Sequence, residues 1–218
     1  MLLQTGPIDW AWISENRDDI WAQFSEHVVL SALPVGFGFL IAFPLALVAI
    51  RWPGFYSPLL GVAGILFSIP TIALFVIMIP FTGLSKATAI IPLTLYTLLI
   101  LLRNTVEGLN GVPTHVSEAA EAMGFTRARR LFRIELPLAV PVIIAGLRIA
   151  TVNTIAYVAI TALIGQGGLG ALFMDGFLRR FPTPLIVGLV LSVALAVAAD
   201  LGLLGVQRVL TPWQRDRD

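Results

Sequence analysis

Residues 103–141 read RNTVEGLNGVPTHVSEAAEAMGFTRARRLFRIELPLAVP, the longest polar stretch in a chain that is otherwise mostly apolar. The pattern is that of two short helices joined by a reversal. Pro113 and Ser117 are helix-start signals, and Val116, Ala119, Ala120 and Met123 fall on one face. Gly124 permits a sharp reversal that a bulkier residue would resist. Beyond it, Arg127, Arg129, Arg130 and Arg133 are expected to point outward. Pro137 and Pro141 then open the next apolar segment, since proline is tolerated in a first helical turn. The expected product is a compact charged knob held between two apolar segments.

Outward from this knob the chain is built for lipid. Of its 218 residues 57% are hydrophobic and 12% charged, against about a quarter charged in soluble domains. So short a chain cannot hide that much apolar surface in one core. Apolar runs recur at about His27–Ile50, Pro58–Ile79, Ala87–Leu102, Leu136–Ile164 and Pro184–Val206. Four are of the length that crosses a hydrocarbon layer about 30 Å thick, and the third, Ala87–Leu102, is short and interrupted by Pro92. They lack the strict alternation of barrel strands, so the expected fold is all-α and integral to the membrane, with about five transmembrane helices. Pro34, Pro44, Pro70 and Pro92 lie inside these runs and predict kinks. The expected division is an N-terminal extracytoplasmic segment 1–26, a transmembrane domain 27–210 with the polar loop at 108–137, and a cytoplasmic tail 211–218.

Placing the polar loop in the cytoplasm puts Arg51, Arg103, Arg127, Arg129, Arg130, Arg133, Arg208, Arg215 and Arg217 on that side. Arg17, Lys86, Arg179 and Arg180 fall on the other. The excess of inner arginines predicts an N-terminus outside and a C-terminus in the cytoplasm. The first residues lack a basic leader followed by an apolar core, so no cleaved signal peptide is expected. Ile8–Glu26 mixes Trp10, Trp12, Trp21 and Phe24 with acidic residues, which fits either an interfacial helix or a partly ordered tail. A net charge of +1 without a broad basic stretch argues against nucleic acid, and the absence of cysteine removes disulfides and thiol chemistry. His27 and His115 are far apart in sequence, and no nucleophile–base or metal constellation emerges.

Glu118-Ala119-Ala120, three residues, Gly124, nine residues, Ile134, one residue and Leu136-Pro137 resemble the EAA signature of bacterial ABC importer permeases. The stretch SIPTIALFVIMIP at 68–80 looks like the SIP-T-AL segment of permeases for glycine betaine, choline and carnitine. ALIGQGGLGALFMDGF at 162–177 is similar to their IG-GGLG loop, which methionine permeases of the same superfamily also carry. The resemblance implies a type I ABC importer, methionine-permease-like fold in the bacterial cytoplasmic membrane. It implies that Glu118, Ala119, Ala120, Gly124, Arg127 and Arg130 belong to a coupling helix docking on an ATP-binding subunit. It also implies a second permease subunit, the same or homologous, and an extracytoplasmic solute-binding protein. No Walker A sequence occurs and the only lysine is Lys86, so ATP and Mg²⁺ are expected in the partner ATPase, with no cofactor in this chain. The implied solute is glycine betaine or a related quaternary amine. A methionine-like amino acid is the alternative, with a secondary carrier behind it.

Two ionisable residues fall within spans, Arg148 and Asp200. Charges at such depth are paired or face a cavity. The two are expected to lie near each other, or each to meet a partner on the inner half, either as a gate latch or as a pair fixing helix register. Gly146, Ala150, Asn153, Tyr157 and Thr161 follow one another at helical spacing, a stripe for close packing or for a wetted pathway. Thr71, Asn153 and Tyr157 are the candidate pathway residues. The glycine-rich segment 165–183 is expected to be a flexible turn feeding a short amphipathic helix, either an outer gate or a connector.

Overall fold

The computed structural model describes residues 8–213. Arg215, Arg217 and the rest of the tail beyond Trp213 lie outside the described residues, as do residues 1–7. Every regular element among the described residues is helical. In chain order they are α1 (Trp10–Glu15), α2 (Arg17–Arg51), α3 (Tyr56–Ser68), α4 (Thr71–Thr82) and α5 (Lys86–Asn110). There follow α6 (Thr114–Ala122), α7 (Arg127–Arg130), α8 (Leu136–Val158), α9 (Gly170–Arg179) and α10 (Pro182–Leu210). Short 3₁₀ turns occupy Pro53–Phe55 and Ala159–Ile164, and a π turn occupies Leu131–Glu135.

Among the described residues four helices are long and apolar enough to cross a bilayer: Arg17–Arg51, Lys86–Asn110, the run Arg127–Ile164 and Pro182–Leu210. A fifth span arises only if α3 and α4 count together, and they meet at a 92° bend. The kink expected at Pro70 is thus a full break between two helices. Pro70 forces its predecessor out of the helical region and has no N–H to continue the ladder. Its own ψ is 131°, and α4 restarts with Ala73 and Leu74 donating to the Pro70 carbonyl at 2.9 and 3.2 Å. Pro92, by contrast, leaves α5 continuous, and that helix runs to Asn110 rather than ending near Leu102.

The N-terminal segment also differs from expectation. Only Trp10–Glu15 forms a separate short helix, and from Arg17 the chain is already in α2. At 1.5 Å per residue α2 is about 52 Å long, well beyond a hydrocarbon core. The α1 helix is fixed in place. Asp9 accepts from Trp12 N–H at 3.1 Å, Asp9 N–H donates to the buried Thr183 hydroxyl at 2.9 Å, and Trp12 meets Phe181 edge-on at 5.9 Å.

The chain divides into two units by contact. One comprises residues up to Val35, 69–94 and 151–198. Its core is Leu30, Phe75, Ala89, Leu93, Val158 and Ile164. The other comprises 36–68, 95–150 and the residues from Ala199. There Ala42, Ala46 and Ala49 of α2 pack on Leu101, Leu102 and Val106 of α5 and Ala150 of α8. Small residues let backbones approach, the usual device where lipid supplies no hydrophobic drive between helices. A Cβ on Gly146 would stand 2.5 Å from that of Asn104, so this end of the expected stripe is helix contact. A second cluster, Leu109, Ala139 and Ile143 with Leu131 and Leu136 against it, roots the polar segment between α5 and α8.

Candidate functional site

The polar segment folds as an elbow. Pro113 stands before α6, which begins at Thr114, and Ala120 is fully buried with Val116 half-buried. Ala119 and Met123 point outward instead of joining that inner face, Met123 with 68% of its surface exposed. Ser117 is no cap: its hydroxyl donates to Glu135 at 3.2 Å. At the reversal Phe125 N–H bonds to the Ala120 carbonyl at 3.1 Å and Gly124 N–H to that of Glu121 at 2.9 Å. This is the Schellman pair that ends a helix on a left-handed residue, and Gly124 has φ +79°. Thr126 then caps the next turn, accepting from Arg129 N–H at 3.4 Å.

The arginines of the second arm divide by role. Arg127, Arg129 and Arg133 are exposed, with the Arg129 guanidinium 4.7 Å from the centre of the Phe125 ring. Arg130 does not point outward as expected. It is half-buried and ion-paired with Glu121 across the elbow and with Glu135, the latter at 2.6 Å. Sequence reasoning missed both carboxylates: the reversal at Gly124 brings Glu121, nine residues away, to Arg130, and Glu135, five residues on, meets it across the π turn of the same helical run. It also missed the apolar tip Phe132, which is 58% exposed. The outer surface of the elbow thus carries Glu118, Ala119, Met123, Arg127, Arg129 and Phe132. The second arm does not stop before the membrane. The helical run is unbroken from Arg127 to Ile164, 38 residues, so elbow and span form one rod. Pro137 cannot donate to the Arg133 carbonyl, and just before it the ladder widens, with Leu136 N–H bonding to Leu131.

Within the spans, Arg148 and Asp200 meet fork to fork. Nε donates to Oδ1 and Nη2 to Oδ2, each at 2.7 Å. Thr71 is the first residue of α4, while Asn153 and Tyr157 lie on α8. All three are half-buried, and Tyr157 packs against the cluster around Leu30 and Phe75. Gly146, Ala150 and Thr161 are buried.

The glycine-rich segment is packed, not a flexible surface turn. Gln166, Gly168, Leu169 and Gly170 are buried. A Cβ on Gly170 would stand 2.2 Å from the Ala159 carbonyl, and Gly168 turns at φ +85° beside His27. His27 is fully buried and explains the order: Nδ1 accepts from Leu169 N–H at 3.1 Å and Nε2 lies 3.0 Å from the Ile155 carbonyl. With Nδ1 accepting, Nε2 carries the proton. This histidine joins a loop and a span through backbone groups, a role that spacing alone does not reveal. No group of three His, Asp or Glu side chains gathers as a metal site among the described residues.

Comparison with known proteins places these features in context. Residues 35–215 match the model of a family described as binding-protein-dependent transport system inner membrane component. The osmoprotectant import permease protein of Salmonella typhimurium is 39% identical, the alignment covering 86% of this chain and 89% of that one. The choline transport system permease protein of Bacillus subtilis is 34% identical over 92% of this chain and 93% of its own. Among solved structures, the MetNI methionine ABC transporter in inward-facing conformations is similar, with a TM-score of 0.74 at 27% identity. That match covers 85% of this chain and 93% of the other.

Proposed function

This chain belongs to the family of inner membrane components of binding-protein-dependent transport systems, and on that premise we propose that its solute is glycine betaine or a related quaternary amine. It is the multi-pass permease subunit of an ABC importer, a transport component that works with a separate ATP-binding subunit. The solute reading is supported by relatives named for osmoprotectant and choline transport, aligned over most of both chains. The likeness to a methionine transporter favours a second reading, in which the solute is an amino acid.

The coupling proposal rests on a single observation, an elbow held from within by Arg130 and continuous with a span. On this reading Glu118, Ala119, Gly124 and Arg127 face the ATP-binding subunit, while Ala120 seats the elbow and Arg130 braces it. ATP and Mg²⁺ reside in that partner. A second permease subunit completes the pathway, which Thr71, Asn153 and Tyr157 help to line, and an extracytoplasmic binding protein delivers the solute. The N-terminus lies outside and the C-terminus in the cytoplasm. A rigid elbow transmits displacement because interfaces and packed cores switch between discrete arrangements instead of deforming smoothly.

The test is reconstitution of the complete transporter in proteoliposomes, with uptake of glycine betaine, choline and methionine measured against ATP hydrolysis. ATP-dependent uptake of glycine betaine or choline is expected. Uptake of methionine alone would replace the solute reading. A cysteine at Glu118 that fails to cross-link to the ATP-binding subunit would remove the docking surface.

A further inference from the structure

The Arg148–Asp200 pair has an unusual setting. Each side chain keeps 31% of its surface exposed. At 1.5 Å per residue Arg148 lies about 18 Å along α8, and Asp200 about 15 Å before the end of α10. Residues next to them in sequence and one turn away, Ile149, Val152, Val197 and Leu201, are exposed and apolar. A charged pair half-open to hydrocarbon at such depth is costly, and membrane proteins turn such groups toward water or polar partners. Fork-to-fork pairing engages Nε and Nη2 of Arg148. Nη1 and one proton of Nη2 are left over, as are the outer lone pairs of Asp200. The open edge therefore sets a donor beside an acceptor, with no net charge.

We propose that this open edge is a transient subsite for a small zwitterion, the solute carboxylate meeting Arg148 and its ammonium carbon meeting Asp200. The proposal rests on the quaternary-amine reading above. A dipolar solute satisfies both ends at once without breaking the pair. A lone cation or anion satisfies one end and meets repulsion at the other. Because the two side chains already neutralise each other, the site holds its ligand weakly, as a conducting pathway requires. A pair that only fixed helix register would not distinguish one solute from another.

The test uses the assembled transporter in proteoliposomes, comparing glycine betaine, a zwitterion, with choline, a cation without a carboxylate. In the double variant Arg148→Met with Asp200→Leu, glycine betaine uptake is expected to fall at least tenfold and choline uptake less than threefold. The charge-reversed variant Arg148→Asp with Asp200→Arg is expected to recover part of the glycine betaine rate. Equal losses for both solutes, or unchanged glycine betaine uptake, would overturn the subsite. Should the double variant fail to assemble, the natural absence of cysteine supplies a second measurement. Val197→Cys, one turn from Asp200, is expected to react with a water-soluble thiol reagent and to be protected by saturating glycine betaine. A thiol that stays unreactive through the ATP cycle would place the pair against lipid and end the proposal. A wild-type transporter that moves methionine and not glycine betaine would remove the solute reading alone. The same comparison would then be run with methionine against its amine lacking the carboxylate.

Discussion

Gly124 illustrates how one residue's backbone decides a device. Its φ of +79° is left-handed, yet a Cβ there would meet nothing within 4 Å. The restriction is conformational and not steric, which separates two substitutions. Gly124→Val is expected to cost about 1–2 kcal/mol of local strain. It should lower the ratio of solute moved to ATP hydrolysed in proteoliposomes. Gly124→Asn, which tolerates this region, should retain most of it. Equal ratios for wild type and the valine variant would count against the elbow as a transmitter. At His27 the expectation concerns stability. His27→Ala strands the Leu169 N–H and the Ile155 carbonyl in a buried place, costing about 1–3 kcal/mol per unmet group. A lowered Tm of the detergent-purified transporter should report it, with His27→Gln partly restoring the loss. The glycine was legible because few residues end a helix that way. Arg130 was not, since its inward turn depends on Glu121 arriving across the reversal and on a π turn that sets Glu135 beside it.

At the scale of elements, apolar runs of about 20 residues announced where the helices are, and lipid explains why nothing else was available to the backbone. Their breaks were harder to read. Pro34, Pro44, Pro70 and Pro92 look alike in sequence, yet only Pro70 is flanked by a 92° bend. A proline breaks a helix outright where no neighbouring packing repays its missing bond, and sequence does not show the neighbours. The small-residue stripe on α8 was ambiguous for the same reason, and Gly146 is settled by Asn104. Gly146→Leu should overpack that contact at about 1–3 kcal/mol. Thermal unfolding of the purified protein followed by intrinsic fluorescence should show an earlier midpoint, and an unchanged midpoint would mean that α5 and α8 can part without cost.

For the whole molecule, composition alone pointed to lipid as the solvent, and the apolar side chains left outward on α10, Leu189, Val190, Val206 and Val209 among them, agree with it. Sidedness rests on the arginine bias and has a direct check. In this cysteine-free chain, Ser14→Cys should react with an impermeant thiol reagent in intact cells, whereas His115→Cys should react only once the membrane is permeabilised. The reverse pattern would put the elbow outside and end its assignment to an ATPase. The π turn at Leu131–Glu135 has a consequence for heredity as well as for mechanics. It amounts to one surplus residue in a helix otherwise phased at 3.6 per turn. Loss of a single codon there would restore regular winding and leave all that precedes it on nearly its present bearing, because the wide turn already absorbs the extra residue. Loss of a codon from the regular winding on either side would instead swing the elbow by about 100° in azimuth. Lineages of this fold should therefore tolerate a change of length within those five positions more readily than one in the helix beside them.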